Sequence, residues 1–361
     1  MKRIPTNELI PGMVTAEDIY NYNNQMVFPR GFVLTDRAIS RLAFYAIDSI
    51  RVDDKIVTVP KNPTLVVEDI PSHREQILSD PAFLHFKSEF DDNVDDFKDR
   101  MNHVIKKNTS LDVSKVLDNA FHLVDIGKQS YGIFDLLGNM REYDDETYAH
   151  SLNVALLCNV MAGWLRLKEE EIEMATLSGM FHDVGKIQIP DAILKKEGPL
   201  TEIEHRIIET HTMESYKILR DLPLHDHVKN AALMHHERND GRGYPFNVPI
   251  QRTDPYARMV SVADVYDAMT SLRCYRPGMS PFKTVSIMEH EGISKYDPVF
   301  LNTFLERAAT SYINNRVLLT NGEKGEVIYI PHDNPSRPTV KVGDKYVDLS
   351  KEKDIDIKSI I

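Results

Sequence analysis

The sequence predicts a mainly α protein. A helical bundle is preceded by a small α+β segment and a helical linker, and followed by a short C-terminal β segment. Three observations predict this. Apolar residues spaced by three and four run from Phe83 to Val104, helix-start signals recur between about 140 and 315, and β-rich runs with turn dipeptides are confined to the two ends. A chain of 361 residues exceeds one ordinary core, so two or three folding units are expected.

In residues 1–60, short β-rich runs (Met26-Val27-Phe28, Val57-Thr58-Val59) alternate with turn signals at Pro11-Gly12 and Arg30-Gly31. One short helix, opened by Thr35-Asp36, carries Ile39 and Leu42. A proline-containing connector, Pro60 to Pro71, follows that unit, and residues 61–139 are expected to form a helical linker or hairpin. There Phe83, Phe86, Phe90, Val94, Phe97, Met101 and Val104 form one stripe, opposite an acidic face of Asp91, Asp92, Asp95, Asp96 and Asp99. Asn108-Thr109-Ser110 interrupts the pattern, and a second helical stretch runs through Val116, Phe121, Val124, Phe134 and Leu137. Such a stripe serves either a hairpin packed on its neighbour domain or a stalk used in dimerisation or signal relay.

Residues 140–315 read as all-helical. Thr201-Glu202-Ile203-Glu204 is a capping box, and Asp254-Pro255 offers an N-cap with proline at the first helical position. Residues 316–361 return to strands at Val317-Leu318-Leu319, Val327-Ile328-Tyr329-Ile330 and Val340-Lys341-Val342, with turns at Asn321-Gly322 and Lys324-Gly325.

Composition narrows the function. The chain is 42% apolar and 27% charged, as expected of a protein able to bury a sizeable core. No run of some eighteen apolar residues suggests a membrane span, and Met1-Lys2-Arg3-Ile4-Pro5 lacks the apolar core of a secretory signal. Cys158 and Cys274 lie far apart without zinc-type spacing, so a cytoplasmic protein with reduced thiols is expected. The net charge of −12 disfavours duplex nucleic acid as a partner. It leaves a small phosphorylated ligand open, because bound cations reverse the local sign.

Chemistry concentrates in the helical segment. Glu146 and His150 stand four apart, on one helical face, and His150 heads an apolar face continued by Val154, Leu157 and Met161. His182-Asp183 ends the apolar run Ala175 to Phe181 and is followed by Gly185 and Lys186. His211 lies one turn after Ile207, His235 continues the face of Val228, Ala231 and Ala232, and His236 follows it. Asp264 sits within Val262-Ala263-Asp264. Singly, each is ordinarily a hydrogen-bonded core residue or a cap. Together they would bury several carboxylates and five imidazoles at several kcal/mol per uncompensated charge, with no matching inward Arg or Lys. Metal ions supply that compensation, and nitrogen and oxygen donors without thiolate suit Fe, Mn, Zn or Ni. A multinuclear metal site beside Lys186 suggests phosphate-ester hydrolysis, the lysine neutralising charge on the phosphoryl oxygens. The ordinary alternative for Lys186 is a solvated lysine after a helix end.

The ordered set resembles a known family. His182-Asp183-Val184-Gly185-Lys186 is similar to the HD motif of the HD phosphohydrolase superfamily, and His235-His236-Glu237-Arg238-Asn239-Asp240-Gly241-Arg242-Gly243-Tyr244-Pro245 to the signature of its HD-GYP branch. The likeness continues through Ile189 to Leu194, Val262 to Ala268 and Arg273-Cys274-Tyr275-Arg276, covering about 140 to 315. It implies a helical bundle that hydrolyses cyclic di-GMP to linear pGpG, often onward to GMP, with two or three metal ions, commonly iron or manganese. The implied metal ligands are Glu146, His150, His182, Asp183, His211, His235, His236 and Asp264, Glu146 going with the three-metal version. Asp183 and Lys186 are the implied catalytic residues. Lys186, Arg273, Arg276 and Tyr244 are the implied substrate contacts, with surface ion pairing the alternative for the two arginines. Residues 1–60 look similar to a small domain often found ahead of HD-GYP modules.

Two positions depart from the family's habit, Cys274 where proline is usual and Ser215 where glycine is. Neither removes a ligand. The expected partners are cyclic di-GMP, a second copy of the chain through the 83–104 stripe, and a diguanylate cyclase. The rival functions are hydrolysis of a cyclic GMP-AMP dinucleotide or another phosphoester, and cyclic-dinucleotide sensing or scaffolding without meaningful turnover.

Overall fold

The structure is a computed structural model. It describes all residues except 1, 21–25, 29, 35–37, 40, 41, 43–46, 57–76, 108, 109, 131, 141–145, 197 and 272–277. The chain divides into two compact units, Met1–Ile70 and Pro71–Ile361.

In the first unit, β1 (Lys2–Pro5), β5 (Ser49–Ile56) and β2 (Met13–Thr15) form an antiparallel sheet with β5 in the centre. β3 (Ile19–Tyr20) and β4 (Met26–Phe28) form a separate pair. Leu34, Leu42, Ile50 and Val52 are among the residues of its small core. Ala38, Ile39 and Leu42 are helical, as expected, while Thr35, Asp36 and the expected strand Val57-Thr58-Val59 lie outside the described residues.

The second unit opens with α1 (Pro81–Lys107) and α2 (Val113–Gln129). Every residue of the Phe83–Val104 stripe is buried within the single chain. Phe97 meets Tyr148 and Phe181 edge-on, with ring centres 5.7 and 5.4 Å apart. The stripe thus packs on the helices that carry His150 and lead to His182. This corrects the expectation of a homodimer seam at 83–104, since apolar surface already removed from water has none left to offer a second copy. Phe90→Asp with Phe97→Asp should therefore unfold the chain rather than yield a monomer. Each large buried side chain contributes about 3–5 kcal/mol, against total stabilities of about 5–15 kcal/mol. Circular dichroism checks this, and a soluble, fully helical double variant would revive the seam.

The stretch expected to run from Val116 to Leu137 is two helices, because Gly132 at φ +88° turns the chain between α2 and α3 (Ile133–Asn139). The bundle continues with α4 (Glu146–Trp164), α5 (Glu169–Phe181), a 3₁₀ turn (Val184–Gln188) and α6 (Asp191–Leu194). Next come α7 (Glu202–Glu209), α8 (His211–Leu219), α9 (Asp226–Met234), α10 (Pro255–Thr270), α11 (Pro281–Gly292) and α12 (Pro298–Thr310). Both sequence-derived starts hold: Thr201 and Glu204 cap α7 reciprocally, and Asp254 accepts from the Tyr256 amide ahead of α10. At Gly179 a Cβ would lie 2.7 Å from the Cα of Ala155, so α4 and α5 touch backbone to backbone.

The C-terminal strands β6 (Arg316–Leu319), β7 (Lys324–Tyr329), β8 (Thr339–Val342), β9 (Lys345–Asp348) and β10 (Ile357–Ile360) form an antiparallel sheet in the order β10-β6-β7-β8-β9. Gly322 makes its expected turn at φ +87°. Lys324-Gly325 was expected to turn but lies in β7. Gly325 is there because a Cβ would meet the Val340 side chain at 2.4 Å, a close approach rather than a turn. No described helix is long and apolar enough to cross a membrane.

Candidate metal centre

Five elements deliver seven of the eight expected ligands to one buried place. His150 comes from α4, His182 from the end of α5 and Asp183 from the residue after it. His211 begins α8, His235 and His236 end α9, and Asp264 lies on α10. The expectation that His211 shares the helix of Ile207 is corrected: α7 ends at Glu209, Thr210 Oγ1 donates back to the Ile207 carbonyl at 2.6 Å, and His211 opens α8. The eighth residue, Glu146, starts α4, but its side chain lies outside the described residues, as do Arg273, Cys274 and Arg276.

The histidines are aimed by one repeated device. Nδ1 of His182 donates to the Gly179 carbonyl at 2.7 Å, that of His211 to the Ile208 carbonyl at 2.6 Å, and that of His235 to the Ala232 carbonyl at 3.1 Å. A carbonyl only accepts, so each Nδ1 carries the proton and each Nε2 turns a lone pair inward. His211 Nε2 and His235 Nε2 then face each other at 3.4 Å with no hydrogen between them. Two inward lone pairs at that distance repel unless a cation lies between. His182 Nε2 and Asp183 Oδ1 are buried without any hydrogen-bond partner, as unsatisfied polar atoms awaiting a ligand would be.

Asp183 divides the donors. Its Oδ2 faces His182 Nε2 at 3.2 Å and His150 Nε2 at 3.6 Å, and its Oδ1 faces His211 Nε2 at 3.2 Å and His235 Nε2 at 3.8 Å. The potential ligand groups are accordingly His150, His182 and Asp264 on one side, and Asp183, His211, His235 and His236 on the other. Lys186 Nζ pairs with Asp183 Oδ2.

Electrostatics prepares the donors. Burial disfavours charge and holds the His211 and His235 imidazoles below their usual pKa, and pushes His236 down to about 3. The neutral imidazole is therefore the favoured form of all three. Burial also opposes the charge on Asp183 and Asp264, but the surrounding imidazoles, with Lys186 at Asp183, hold both carboxyls well below their usual range. At His150 burial is outweighed by hydrogen bonds to Asp264 and Asp267, and its pKa rises to about 9.

Residues 135–300 match the family profile described as HD domain. The chain is 34% identical over 207 residues to the cyclic di-GMP phosphodiesterase PA4108 of Pseudomonas aeruginosa, covering 57% of this chain and 50% of that protein. Residues 135–300 are thus similar to HD domains. The chain is also 39% identical over 145 residues to the 3'3'-cGAMP-specific phosphodiesterase 1 of Vibrio cholerae, covering 40% of this chain and 34% of that protein. The chain thus spans half or less of the length of these curated relatives. The solved HD-GYP protein Bd1817 from Bdellovibrio bacteriovorus shares the fold, with a TM-score of 0.52 over 85% of this chain and 98% of that one, at 16% identity. An HD domain implies divalent metal ions, and the two donor groups around Asp183 fit them.

The residues of the Gly243-Tyr244-Pro245 segment have local reasons. Gly243 lies against the turn after α9, where a Cβ would come within 2.4 Å of the His236 carbonyl oxygen. The Tyr244 amide donates to that oxygen at 3.2 Å, and its ring stacks on His236 with centres 4.6 Å apart. Ser215, the departure from glycine, is fully buried. It accepts from the Gly185 amide at 2.8 Å and donates to the His182 carbonyl at 3.1 Å, tying α8 to the HD turn.

Two supporting residues were given no role by the sequence reading. Asp267 accepts from His150 Nδ1 at 2.7 Å and from Asn153 Nδ2 at 3.0 Å, orienting the first histidine. The buried Glu237 accepts from the amides of Phe246 and Val248 at 2.7 and 3.1 Å, anchoring the loop that follows Tyr244. The three-residue spacing of Asp264 and Asp267 was the available signal for the first, since it sets both on one face of α10.

Proposed function

We propose that the chain hydrolyses a cyclic dinucleotide, with cyclic di-GMP as substrate and linear pGpG as first product, in the cytoplasm. The observation that carries this reading is Asp183, whose two oxygens serve two separate donor groups. In this reading His150, His182 and Asp264 would hold one ion and His211, His235 and His236 a second, with the Asp183 carboxylate available to both groups. Bound ions would activate a water and neutralise charge on the phosphoryl oxygens. Nitrogen and oxygen donors are compatible with the iron or manganese that the family resemblance implies, and Glu146 would serve a third ion.

The chain's own groups do the rest. Lys186 is 18% exposed, enough to meet a substrate phosphoryl oxygen while Asp183 holds it in place. Burial first, then the nearby carboxylates, raise the Tyr244 phenol far above its usual pKa, so it stays a neutral donor at the rim of the site. Arg273 and Arg276 are proposed to meet the substrate phosphates. The alanine variant of Lys186 should lower turnover by about a hundredfold, the usual effect of losing one aimed charge-stabilising donor, with metal content unchanged. Single-turnover kinetics beside elemental analysis check this, and wild-type rates would put Lys186 outside the reaction.

A second substrate is favoured by one observation, the 39% identity to a 3'3'-cGAMP-specific phosphodiesterase. The deciding experiment incubates metal-replete protein with cyclic di-GMP and 3'3'-cGAMP separately and resolves the linear products. Faster opening of cyclic di-GMP is expected. Preference for 3'3'-cGAMP reassigns the substrate, and turnover of neither by metal-loaded protein overturns the proposal.

A further inference from the structure

We propose that the α1–α2 hairpin carries a second, separate metal site made by His85, Glu89 and His122, which binds a divalent transition-metal ion such as zinc. None of the three belongs to the ligand set around Asp183. One ligand atom from each lies within 4.8 Å of the others, and His122 Nε2 stands 3.9 Å from Glu89 Oε2.

The placement follows from helix geometry. His85 and Glu89 are four apart on α1, which stacks them on one face a single turn apart. His122 comes from α2, which runs back along α1: further along the hairpin the Asn119 amide donates to Asp96 across the same gap at 3.4 Å. The helices beneath are fixed. Phe86 and Phe90, beside His85 and Glu89, and Leu123, beside His122, are fully buried. Three ligands on two rigid helices need only side-chain rotation to close on an ion, which makes such a site precise. A tetrahedral ion with bonds of about 2.1 Å needs its ligands roughly 3.4 Å apart. The His122 and Glu89 side chains are 57% and 36% exposed, so they are free to make that small adjustment.

Charge and donor type point the same way. No lysine or arginine pairs with Glu89 among the described residues. A lone exposed histidine–glutamate pair contributes little by itself. Two imidazoles and one carboxylate form a borderline donor set that selects zinc, nickel, cobalt or iron over calcium and magnesium, which prefer oxygen. A bound ion would brace the hairpin whose inner face supports α4 and α5. Three protein ligands leave a coordination position open to water.

The test uses the whole 361-residue chain, metal-replete, and zinc ion as probe. Calorimetric titration should reveal one zinc ion beyond those held around Asp183, and the unfolding midpoint should rise with zinc concentration, as expected for a ligand that binds only the folded state. His85→Ala and His122→Ala should each weaken that event at least tenfold and abolish the rise in midpoint. The double variant His235→Ala with His236→Ala should leave the event intact, separating this site from the proposed active site. His85 and His122 take no part in the proposed hydrolysis, so their loss leaves basal turnover unchanged. No extra event in the wild-type protein, or an event that survives either hairpin variant, overturns the proposal.

Discussion

Asp183→Asn is expected to lose metal from both sides of the site and to lower turnover by at least about a thousandfold. The size follows from the position. One carboxylate faces His150 and His182 with one oxygen and His211 and His235 with the other, so its charge serves two donor groups at once. Metal ions contribute several kcal/mol of charge stabilisation to such reactions, and each 1.36 kcal/mol corresponds to about tenfold in rate. His236→Ala removes a donor from only one group. It should therefore leave the ion of the other group bound, which makes it the natural comparison. Elemental analysis and turnover of both variants decide the matter. Two ions and near-normal turnover in Asp183→Asn would falsify the shared role of its oxygens.

Gly185→Ala should be as damaging, for a steric reason. The added carbon would sit 2.2 Å from the His211 carbonyl oxygen and 2.3 Å from the Ser215 nitrogen. Both are backbone atoms of α8, so no side-chain rotation relieves the clash and the helix must move. Overpacking of this kind costs about 1–3 kcal/mol and more where backbone shifts. The shift would carry His211 away from His235 and break the Ser215 tie to the HD turn. The expected result is a chain about 3 kcal/mol less stable that keeps the ion beside His150 and loses the one beside His211. Chemical denaturation and metal analysis test both parts. A wild-type denaturation curve with full metal content would show that α8 yields at no cost. Ser215→Ala keeps the close fit and removes only two hydrogen bonds, each worth about 1 kcal/mol, so it should be the milder change.

The ligand set was readable because it violates an expectation about cores. Seven ionisable groups lie on faces otherwise filled by residues such as Val154, Ala175 and Val228, and such groups are not buried without compensation. Helix starts at Thr201 and Asp254 were readable because their side chains cap backbone amides only a few residues away. What failed to show was whatever depends on distant partners. The Phe83–Val104 stripe announces that a face is buried but not against what, and a fold-internal contact and a dimer seam have the same spacing. Gly325 reads as a turn until Val340 is seen across the sheet. Asp267 reads as one more acid of α10 until His150, 117 positions earlier, is found against it. His85, Glu89 and His122 sit on two faces that sequence periodicity labels as solvated.

The backbone contact at Gly179 bears on how such a domain tolerates mutation. Four residues before Val154 comes His150, and three residues after Gly179 comes His182, so this contact lies within about one turn of two proposed ligands. With no side chain between α4 and α5 at that point, their separation is set by main-chain atoms that no substitution elsewhere replaces. Apolar residues around the contact can then be exchanged over generations, provided volume is kept, without altering the spacing of the two imidazoles. Glycine at 179 decouples the drift of the core from the tuning of the site, and the cost of that freedom is concentrated in one position that cannot itself vary.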